Sequence, residues 1–266
     1  ICKRDGKSKE NRGRAKFLEE VWSWKKSSGD IITNQMRRLG SSCDWESEYF
    51  TMDKTRSDFV RRVFVELYHR GLIYRGNRLV NWDPVLMTAI SDLEVVTEET
   101  EGFLWEIKYP IVTKKNDKEL NLTGHIVVAT TRPETLFGDV AIAVNPDDER
   151  FIDLVGKYAL VPLVDRSIPI ISDSTVDKDF GTGCVKITPA HDFNDYEVGK
   201  RHNLTFINVL TKDGKINEKA PEEFLGKDRF VARKLIIEKL DSLNLLEDTK
   251  KHKLALKKGD RSDAVI

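Results

Sequence analysis

Two short segments of this chain combine residue types that could bind and hydrolyse a small polar substrate. The first runs from Gly181 to Asp195, GTGCVKITPAHDFND, where a glycine-containing turn leads into a short alternating strand that a proline ends. Side chains two positions apart share one face of a strand, so Lys186 and Thr188 point one way. The segment therefore predicts a polar pocket floor rather than a core strand.

Two aspartates follow this strand, Asp192 on the loop and Asp195 at the start of a helix. They bring two carboxylates towards the ammonium of Lys186 and the hydroxyl of Thr188, a set of groups suited to holding a polar ligand. Plainer explanations stay open on spacing alone. Lys186 could be a solvated lysine of an edge strand, and the aspartates could only cap the helix that begins near Asn194.

The second segment runs from Ile126 to Asp139, IVVATTRPETLFGD, and is typical of a buried strand that enters a polar turn and a short helix. Pro133 suits the first position of a helix because its missing N–H would be unpaired there anyway. Thr130, Thr131 and Arg132 add two hydroxyls and a guanidinium beside the free N–H groups, which suits a phosphate, ribose or carbonyl oxygen. A turn that only caps the helix is the open alternative.

Several short strands must position these two segments. Turn residues separate seven strand candidates, and helices interrupt them after Pro133, Pro146 and Asn194. Many short strands at such spacing are typical of a small barrel or compact β-domain. The candidates are residues 105–109, 125–129, 140–144, 159–164, 168–171, 185–188 and 206–209.

Helical patterns flank the strand region. Apolar spacing predicts helices over 14–28 and 33–39, and a third that Asp53 caps and Gly71 ends. A small β-ribbon is expected over 72–74 and 78–82, around Gly76 and Asn77. A helix over 227–246 and an extended basic tail over 250–261 follow. The fold class is α+β: a small β-barrel with peripheral helices, preceded by a helical segment and a β-ribbon.

Composition narrows the classes of function. The chain has 266 residues and a formal net charge of +0, so nothing in its overall charge attracts nucleic acid, and RNA contacts would need local basic patches. Three widely spaced cysteines without a CxxC pattern indicate a reducing compartment, no disulfide framework and no zinc cluster. No apolar run reaches membrane-spanning length, and the first residues are not a signal peptide. We expect a cytoplasmic fragment of a longer protein.

Taken together, the two segments resemble the editing domain of the valyl-tRNA synthetases, which is inserted in the connective polypeptide of those class I enzymes. The resemblance covers nearly the whole chain after the first dozen residues. Further matching motifs look like the catalytic-domain flank and the stalk of the same family: residues 17–25 (FLEEVWSWK), 35–40 (QMRRLG), 44–45 (DW), 72–76 (LIYRG), 80–84 (VNWDP) and 252–261.

The resemblance implies a domain organisation and a limit. Residues 1–80 would be the helical catalytic-domain flank, 81–250 the editing barrel with its stalk, and 251–266 the returning stalk strand. The HIGH-like and KMSKS-like signatures of amino-acid activation are absent from the sequence, so ATP and magnesium would serve only the longer enzyme. Asp83 stands where some relatives carry a zinc-ribbon cysteine, so no metal is expected.

The resemblance also implies the reaction. Threonine and valine are nearly isosteric, and the valine enzymes facing threonine are the standard example of a pocket that cannot reject an added hydroxyl. The implied activity is post-transfer editing, the hydrolysis of threonine from the 3′ acceptor end of valine tRNA, with pre-transfer editing as a further option. The partners would be that tRNA and the rest of the synthetase chain, with no membrane, metal or editing cofactor.

Eight residues would form the site by this resemblance. Asp195 would hold the α-ammonium of the substrate, whereas Lys186, Thr188 and Asp192 would read its hydroxyl; the division of roles between the two aspartates stays open. The expected catalytic residues, which would orient a water molecule, are Asp192, Lys186 and Thr131, and the expected substrate-binding residues are Arg132, Phe180, Thr188, Asp195 and Thr130.

Two other functions compete with this one. The chain could be a non-catalytic module that only docks the tRNA acceptor end, with the chemistry elsewhere. It could also edit in an isoleucine- or leucine-specific relative, but Lys186 argues against that reading because an apolar side chain gains nothing from a buried ammonium.

Overall fold

The computed structural model describes Gly6, residues 9–112 and residues 124–266. By its internal contacts the chain divides into two units, Ile1–Gly76 and Asn77–Ile266. The three functional ranges expected from the sequence, 1–80, 81–250 and 251–266, stay a prediction.

The first unit is helical, as expected. The Asp53 carboxylate caps the helix Lys54–His69 by accepting a hydrogen bond from the backbone N–H of Arg56 at 2.9 Å, and Gly71 follows this helix with a left-handed φ of 69°. A 3₁₀ turn, Trp45–Ser47, precedes that cap. The helices are α1 (Lys9–Arg12), α2 (Arg14–Ser28), α3 (Ile31–Arg38) and α4 (Lys54–His69).

The apolar faces of these helices are not covered within the first unit. Helices α2, α3 and α4, which the structure describes completely, contain no buried residue. Trp24 and Phe64 are each 63% exposed and Leu39 is 84% exposed. The apolar stripe expected on α2 is therefore an open face rather than part of a core.

The described residues of the second unit, 77–112 and 124–266, form nine strands and two helices. The helices are α5 (Phe193–Arg201) and α6 (Arg229–Ser242), and 3₁₀ turns lie at Asp92–Glu94, Pro133–Gly138, Ile152–Leu154 and Glu222–Phe224. The strands are β1 (Asn81–Asp83), β2 (Thr88–Ile90), β3 (Val95–Val112), β4 (His125–Thr130), β5 (Ala141–Val144), β6 (Tyr158–Leu160), β7 (Ser167–Ser172), β8 (Cys184–Ile187) and β9 (Leu246–Gly259).

Seven of these strands form one curved sheet. Its order is β4-β3-β6-β7-β5-β8, and β9 pairs with β3 outside that path. Strands β4 and β8, the two ends of the order, lie against each other, so the sheet curls into a nearly closed barrel. The α+β fold class with a small β-barrel is thus confirmed. The basic tail is extended, as expected, and forms β9, whose antiparallel ladder with β3 runs from Val95↔Gly259 to Ile107↔Leu246.

The barrel encloses the main hydrophobic core. The rings of Phe137 and Phe224 pack with centroids 5.2 Å apart, which ties the 3₁₀ turn after β4 to the segment before α6. Ile236 and Leu240 of α6 are fully buried in the same core. The turn and the helix that flank the candidate site therefore rest on one packed base.

Two strand predictions were wrong. Residues 72–80, all of them described, form no strand, and the hairpin instead pairs β1 with β2. The Asp83 carboxylate accepts the backbone N–H groups of Val85 and Leu86, each at 2.9 Å, and so closes the turn after Asp83 rather than at Gly76. Residues 206–209 also form no strand; a single bridge joins Leu210 to Ile216 just beyond them.

Across the part of the chain that the structure describes, no helix has the length and apolar character needed to cross a membrane.

Candidate functional site

Strand β8 places its polar side chains as the alternation predicts. Lys186 and Thr188 lie on one face, and the Lys186 ammonium donates to the Thr188 hydroxyl at 2.5 Å. The expectation that this is not a core strand was wrong, however. Cys184 and Ile187, only 2% and 1% exposed, each belong to a hydrophobic cluster. Strand β8 is therefore a core strand that also carries a buried polar group.

Lys186 is a buried lysine, so its interpretation as a solvated edge residue was wrong. The residue is 7% exposed, and its ammonium donates to Thr135 Oγ1 at 2.9 Å, Asp139 Oδ1 at 2.8 Å and Thr188 Oγ1 at 2.5 Å. An ammonium has three N–H donors, so these bonds use all of them. A substrate hydroxyl could bind Lys186 only by replacing one of these partners.

Asp139 is the carboxylate that faces this lysine. It is fully buried; Oδ1 also accepts from the Thr188 hydroxyl at 2.6 Å, and Oδ2 accepts from the Tyr109 hydroxyl at 2.7 Å. Burial and the neighbouring carboxylate raise the pKa of Tyr109 well above its ordinary value, so it stays a phenol that donates. Sequence reasoning did not assign Asp139 to the site; the available signal was an aspartate directly before a wholly apolar strand.

The two later aspartates take different positions. Asp192 is exposed and caps α5, because its Oδ1 accepts the N–H groups of Asn194 at 2.8 Å and Asp195 at 3.2 Å. Asp195 is half-buried and points back to β8, where its Oδ2 accepts the backbone N–H of Thr188 at 2.8 Å. The capping interpretation therefore describes the contacts of Asp192, whereas Asp195 belongs to the strand end.

Two groups beside Thr188 have displaced pKa values. Burial, with smaller effects from Asp192 and Asp139, raises the pKa of the Asp195 carboxyl to about 7, although the Lys186 charge opposes this rise. Burial lowers the pKa of His191 to about 3, and its Nε2 accepts the Val209 N–H at 2.9 Å. His191 is therefore a neutral structural residue, while Asp195 titrates near neutrality.

Asp195→Asn is expected to gain stability relative to the wild-type chain as the pH rises from about 4 to about 7. Because the pKa of Asp195 is raised in the folded chain, its protonated carboxyl stabilises the fold fully below the unfolded-state pKa of 3.8. This stabilisation is lost as the pH rises through about 7. Asparagine does not ionise, and its oxygen can still accept the Thr188 N–H.

Urea unfolding of both chains at about pH 5 and about pH 8 measures this gain. The difference between the chains removes the effect of His191, whose lowered pKa makes stability rise with pH over part of the same range. A stability difference that stays constant across this range would contradict the assignment.

The turn after β4 joins the two segments that the sequence singled out. Thr130 Oγ1 accepts the backbone N–H of Arg132 at 3.1 Å, and Thr135 Oγ1 donates to the Arg132 carbonyl at 2.9 Å. The Arg132 guanidinium then donates to the carbonyl of His191 at 2.7 Å, on the loop that follows β8. The segments around Arg132 and Lys186 therefore form one site, linked a second time by the bond from Lys186 to Thr135.

A buried ion pair supports this turn. Glu134 is 1% exposed, and Arg233 of α6 donates to both of its carboxylate oxygens at 2.8 Å. Arg132 Nε lies 3.6 Å from the same carboxylate. The expected helix is a 3₁₀ turn whose six residues are all buried, and Glu134 supplies the negative charge at its start. Binding of a substrate oxygen at this turn stays a prediction.

The remaining expected residues lie at the edge of the site. Phe180 is 56% exposed, and its ring meets that of His252 edge-on with centroids 6.0 Å apart. The next residue, Gly181, lies so close to the end of β4 that an added Cβ would be 3.1 Å from the Ala129 Cβ. Thr131 is half-buried in the turn. An exposed aromatic ring thus stands next to the strand that leads into the polar turn.

These contacts give the site two chemical properties, a buried cation paired with a carboxylate and a carboxyl that ionises near neutral pH, and an exposed ring stands at its edge. Within residues 9–112 and 124–266, no group of three histidine, cysteine, aspartate or glutamate side chains could hold a metal ion. The site's independence of metals and cofactors stays a prediction.

A family model and the curated relatives of this chain agree on one class of enzyme. The family described as tRNA synthetases class I (I, L, M and V) matches residues 1–256. A valine–tRNA ligase of Legionella pneumophila (strain Paris) is 57% identical over 261 residues, 98% of this chain and 28% of the relative. Those of Dechloromonas aromatica (strain RCB) and Coxiella burnetii (strain RSA 493 / Nine Mile phase I) are 56% and 55% identical over 98% and 95% of this chain, and 27% of each relative. The chain spans little more than a quarter of the length of these curated relatives.

Among solved structures, the crystal structure of GlLeuRS-CP1 matches with a TM-score of 0.44 and 14% identity, covering 55% of this chain and 96% of that chain. A ternary complex of Agrobacterium radiobacter K84 agnB2 LeuRS matches with a TM-score of 0.41 and 20% identity, covering 96% of this chain and 38% of that chain.

Proposed function

Because this chain belongs to the class I tRNA synthetases of the isoleucine, leucine, methionine and valine group, we propose that it is the editing part of a valine–tRNA ligase. Relatives of that name, 55% to 57% identical to it, confirm the resemblance to valyl-tRNA synthetases. The proposed reaction is hydrolysis of the ester that joins a mischarged threonine to the 3′ end of valine tRNA, after transfer and, as a second option, before it.

The observation that carries this proposal is the position of Asp195 at the end of β8. Its carboxyl lies at the N–H of Thr188 and ionises near neutral pH. An ionised carboxylate there can bind the α-ammonium of an aminoacyl ester by a charge-assisted hydrogen bond. The ester carbonyl of a substrate held in this way lies near the polar groups of Thr188 and the 130–135 turn.

Selection for threonine follows from the polarity of the pocket floor. Lys186, Asp139 and Thr188 satisfy one another, so a hydroxyl must either exchange for one of their bonds or bind the exposed carboxylate of Asp192. Valine can do neither, and a polar group that loses its partner on valine binding, such as a covered Asp192 carboxylate, costs roughly 1–3 kcal/mol. The pocket therefore favours the amino acid that the valine-activating site cannot reject.

The chemistry needs little activation because an aminoacyl ester is already reactive. A water molecule held beside a fixed carbonyl gains most of its rate from position, and donors near the developing oxyanion supply the rest. Asp192, Lys186 and Thr131 are the proposed groups for the water and the oxyanion, with Arg132, Thr130 and Phe180 binding the terminal nucleotide. ATP and magnesium would serve only the synthetic reaction of the longer enzyme, which we place in the cytoplasm.

The proposal predicts selective hydrolysis by this chain without ATP or metal. Incubated with chelator, it should release threonine from threonyl-tRNA of the valine type at least about tenfold faster than valine from the cognate valyl-tRNA, a ratio that one or two unsatisfied polar groups can produce. Release of labelled amino acid into the acid-soluble fraction measures both rates. A folded chain that leaves the threonyl ester intact would overturn the hydrolase proposal.

A further inference from the structure

A second exposed aromatic ring lies beside the candidate site, at the start of helix α5. Phe193 is the first residue of that helix, stands in the sequence between Asp192 and Asp195, and is 43% exposed. Single exposed rings are common on protein surfaces, so exposure alone assigns no role to this one. What distinguishes Phe193 is the cation that it contacts.

A lysine of strand β9 reaches this ring. The Lys257 ammonium lies over it, 5.6 Å from the ring centroid, although the two residues belong to different elements. Lys257 is exposed and stands opposite Thr97 in the β3–β9 ladder, and the nearest acidic position on its face is Glu99, one pair further along β3. An accessible cation and an accessible ring therefore meet beside the pocket.

The β3–β9 ladder separates the lysines of β9 into two sets, because side chains alternate between its two faces. Lys258, on one face, forms an ion pair with Glu98 at 2.6 Å, and Lys250 on the same face pairs with Glu106. On the opposite face the lysines form no ion pair within the part of the chain that the structure describes; they are Lys251, Lys253 and Lys257. The charge of Lys257 is thus available to an external anion.

A ring next to an available cation matches the chemistry of single-stranded RNA. Proteins bind such RNA with aromatic side chains on which bases stack and with cations that contact its phosphates. Stacking of a base is stronger than the contact between an exposed lysine and a ring, so a base can displace the ammonium, which can then bind a phosphate. The 3′ end of a tRNA is single-stranded, and its last nucleotide must reach the pocket beside Phe193.

We propose that Phe193 and Lys257 form a subsite for the tRNA nucleotide that precedes the terminal one, with its base on the ring and its phosphate on the ammonium. This inference rests on the proposed function, because it places the esterified end of the tRNA at Asp195. The subsite does not touch the amino acid. It binds threonyl-tRNA and valyl-tRNA equally, so its loss should weaken both alike and leave the ratio of their hydrolysis rates unchanged.

Binding of uncharged valine tRNA to variants of this chain tests the subsite. Phe193→Leu keeps an apolar side chain without a ring and should raise Kd about fivefold or more, whereas Phe193→Tyr keeps the ring and should bind like the wild-type chain. Lys257→Gln should raise Kd and reduce the slope of log binding constant against log salt by about 0.7, the value for one phosphate of a single strand. Filter binding at several salt concentrations measures both quantities.

Two matched controls locate the effect. Lys253→Gln removes an ammonium of the same face that stands opposite Glu101, and it should change Kd less than about twofold. A tRNA shortened by its single-stranded 3′ end should bind equally well to the wild-type chain and to Phe193→Leu. All the substituted side chains are exposed, so the melting temperature should stay near that of the wild-type chain.

Four results would overturn the subsite. They are a wild-type Kd in Phe193→Leu, an unchanged salt slope in Lys257→Gln, an equal loss of binding in Lys253→Gln and Lys257→Gln, and an equal loss in Phe193→Leu with the shortened tRNA. Failure of the wild-type chain to bind the intact tRNA would overturn it as well.

Steady-state hydrolysis keeps this inference apart from the function on which it rests. In Phe193→Leu the KM for threonyl-tRNA should rise about fivefold, while kcat and the threonyl to valyl rate ratio keep their wild-type values. A wild-type chain that binds the tRNA through Phe193 and Lys257 but hydrolyses no ester would overturn the proposed function and leave the subsite. Wild-type binding and hydrolysis in both Phe193→Leu and Lys257→Gln would overturn the subsite and leave the function.

Discussion

Replacing Asp195 with alanine is expected to slow the hydrolysis of threonyl-tRNA by about 100-fold or more while binding of the tRNA is retained. The change removes the carboxylate that would hold the α-ammonium, and it leaves the Thr188 N–H without its 2.8 Å acceptor. A substrate that is bound through its nucleotides but no longer held at its amino group loses the alignment of its carbonyl with the water. The loss should therefore appear in kcat more than in KM.

Single-turnover hydrolysis and filter binding on the same tRNA measure the two quantities. Asp195→Asn is the matched variant, because it keeps the acceptor for Thr188 and removes only the charge. If both variants lose the same amount of hydrolysis, the effect comes from the contact with the substrate ammonium. If only the alanine variant loses hydrolysis, the effect comes from the lost hydrogen bond to the Thr188 N–H. Wild-type hydrolysis in Asp195→Ala would refute the role of this residue. Binding by a wild-type chain that does not hydrolyse would instead identify a docking module.

Replacing Glu134 with alanine is expected to lower the free energy of unfolding of the second unit by about 3 kcal/mol or more. Glu134 is 1% exposed and accepts two hydrogen bonds from Arg233, so its removal leaves that guanidinium, only 21% exposed, without its anion. Arg132 loses the same negative charge 3.6 Å from its Nε. Alanine also leaves a cavity between the 3₁₀ turn and α6.

Urea unfolding followed by far-UV circular dichroism measures this change. Glu223→Ala is the control, because Glu223 is about half exposed and forms a single 3.5 Å pair with Lys239; its loss should cost under about 1 kcal/mol. Similar stabilities for the two variants would show that the buried pair contributes no more than a surface one. Arg233→Met in the Glu134→Ala background should recover part of the loss, since the guanidinium that had lost both hydrogen bonds to Glu134 is then removed.

Much of the helical and strand content follows from local signals. The predicted helix over 14–28 has those bounds, and Asp53 caps α4 because a short acidic side chain before a helix can reach a free N–H within one turn. The hairpin was misplaced because Gly76 and Asn77 have the composition of a turn, whereas the turn that forms depends on the Asp83 carboxylate, which also accepts from Ser262 across the fold. Such a distant contact leaves no trace in local spacing.

The site could be predicted only as far as it depends on residues that are neighbours in the sequence. The alternation in β8 correctly places Lys186 and Thr188 on one face, since that depends only on neighbouring residues. The burial of Lys186 depends on Asp139, 47 residues earlier in the chain, and that of Glu134 on Arg233, 99 residues later. These partners meet only through the barrel, so residue types and spacing could not distinguish a buried, paired lysine from a solvated one.

The three bonds of the Lys186 ammonium also bear on the thermodynamics of ligand binding. A lysine side chain free in solution gives up roughly 1.5–2 kcal/mol of rotamer entropy when it becomes ordered, and here folding has already ordered it against Thr135, Asp139 and Thr188. A ligand that reaches this floor meets a lysine side chain whose rotamer entropy has already been lost. Preorganisation of this kind should keep the entropic penalty of binding small. In calorimetry with a threonyl-adenosine mimic, the unfavourable binding entropy should therefore be smaller for the wild-type chain than for Asp139→Asn.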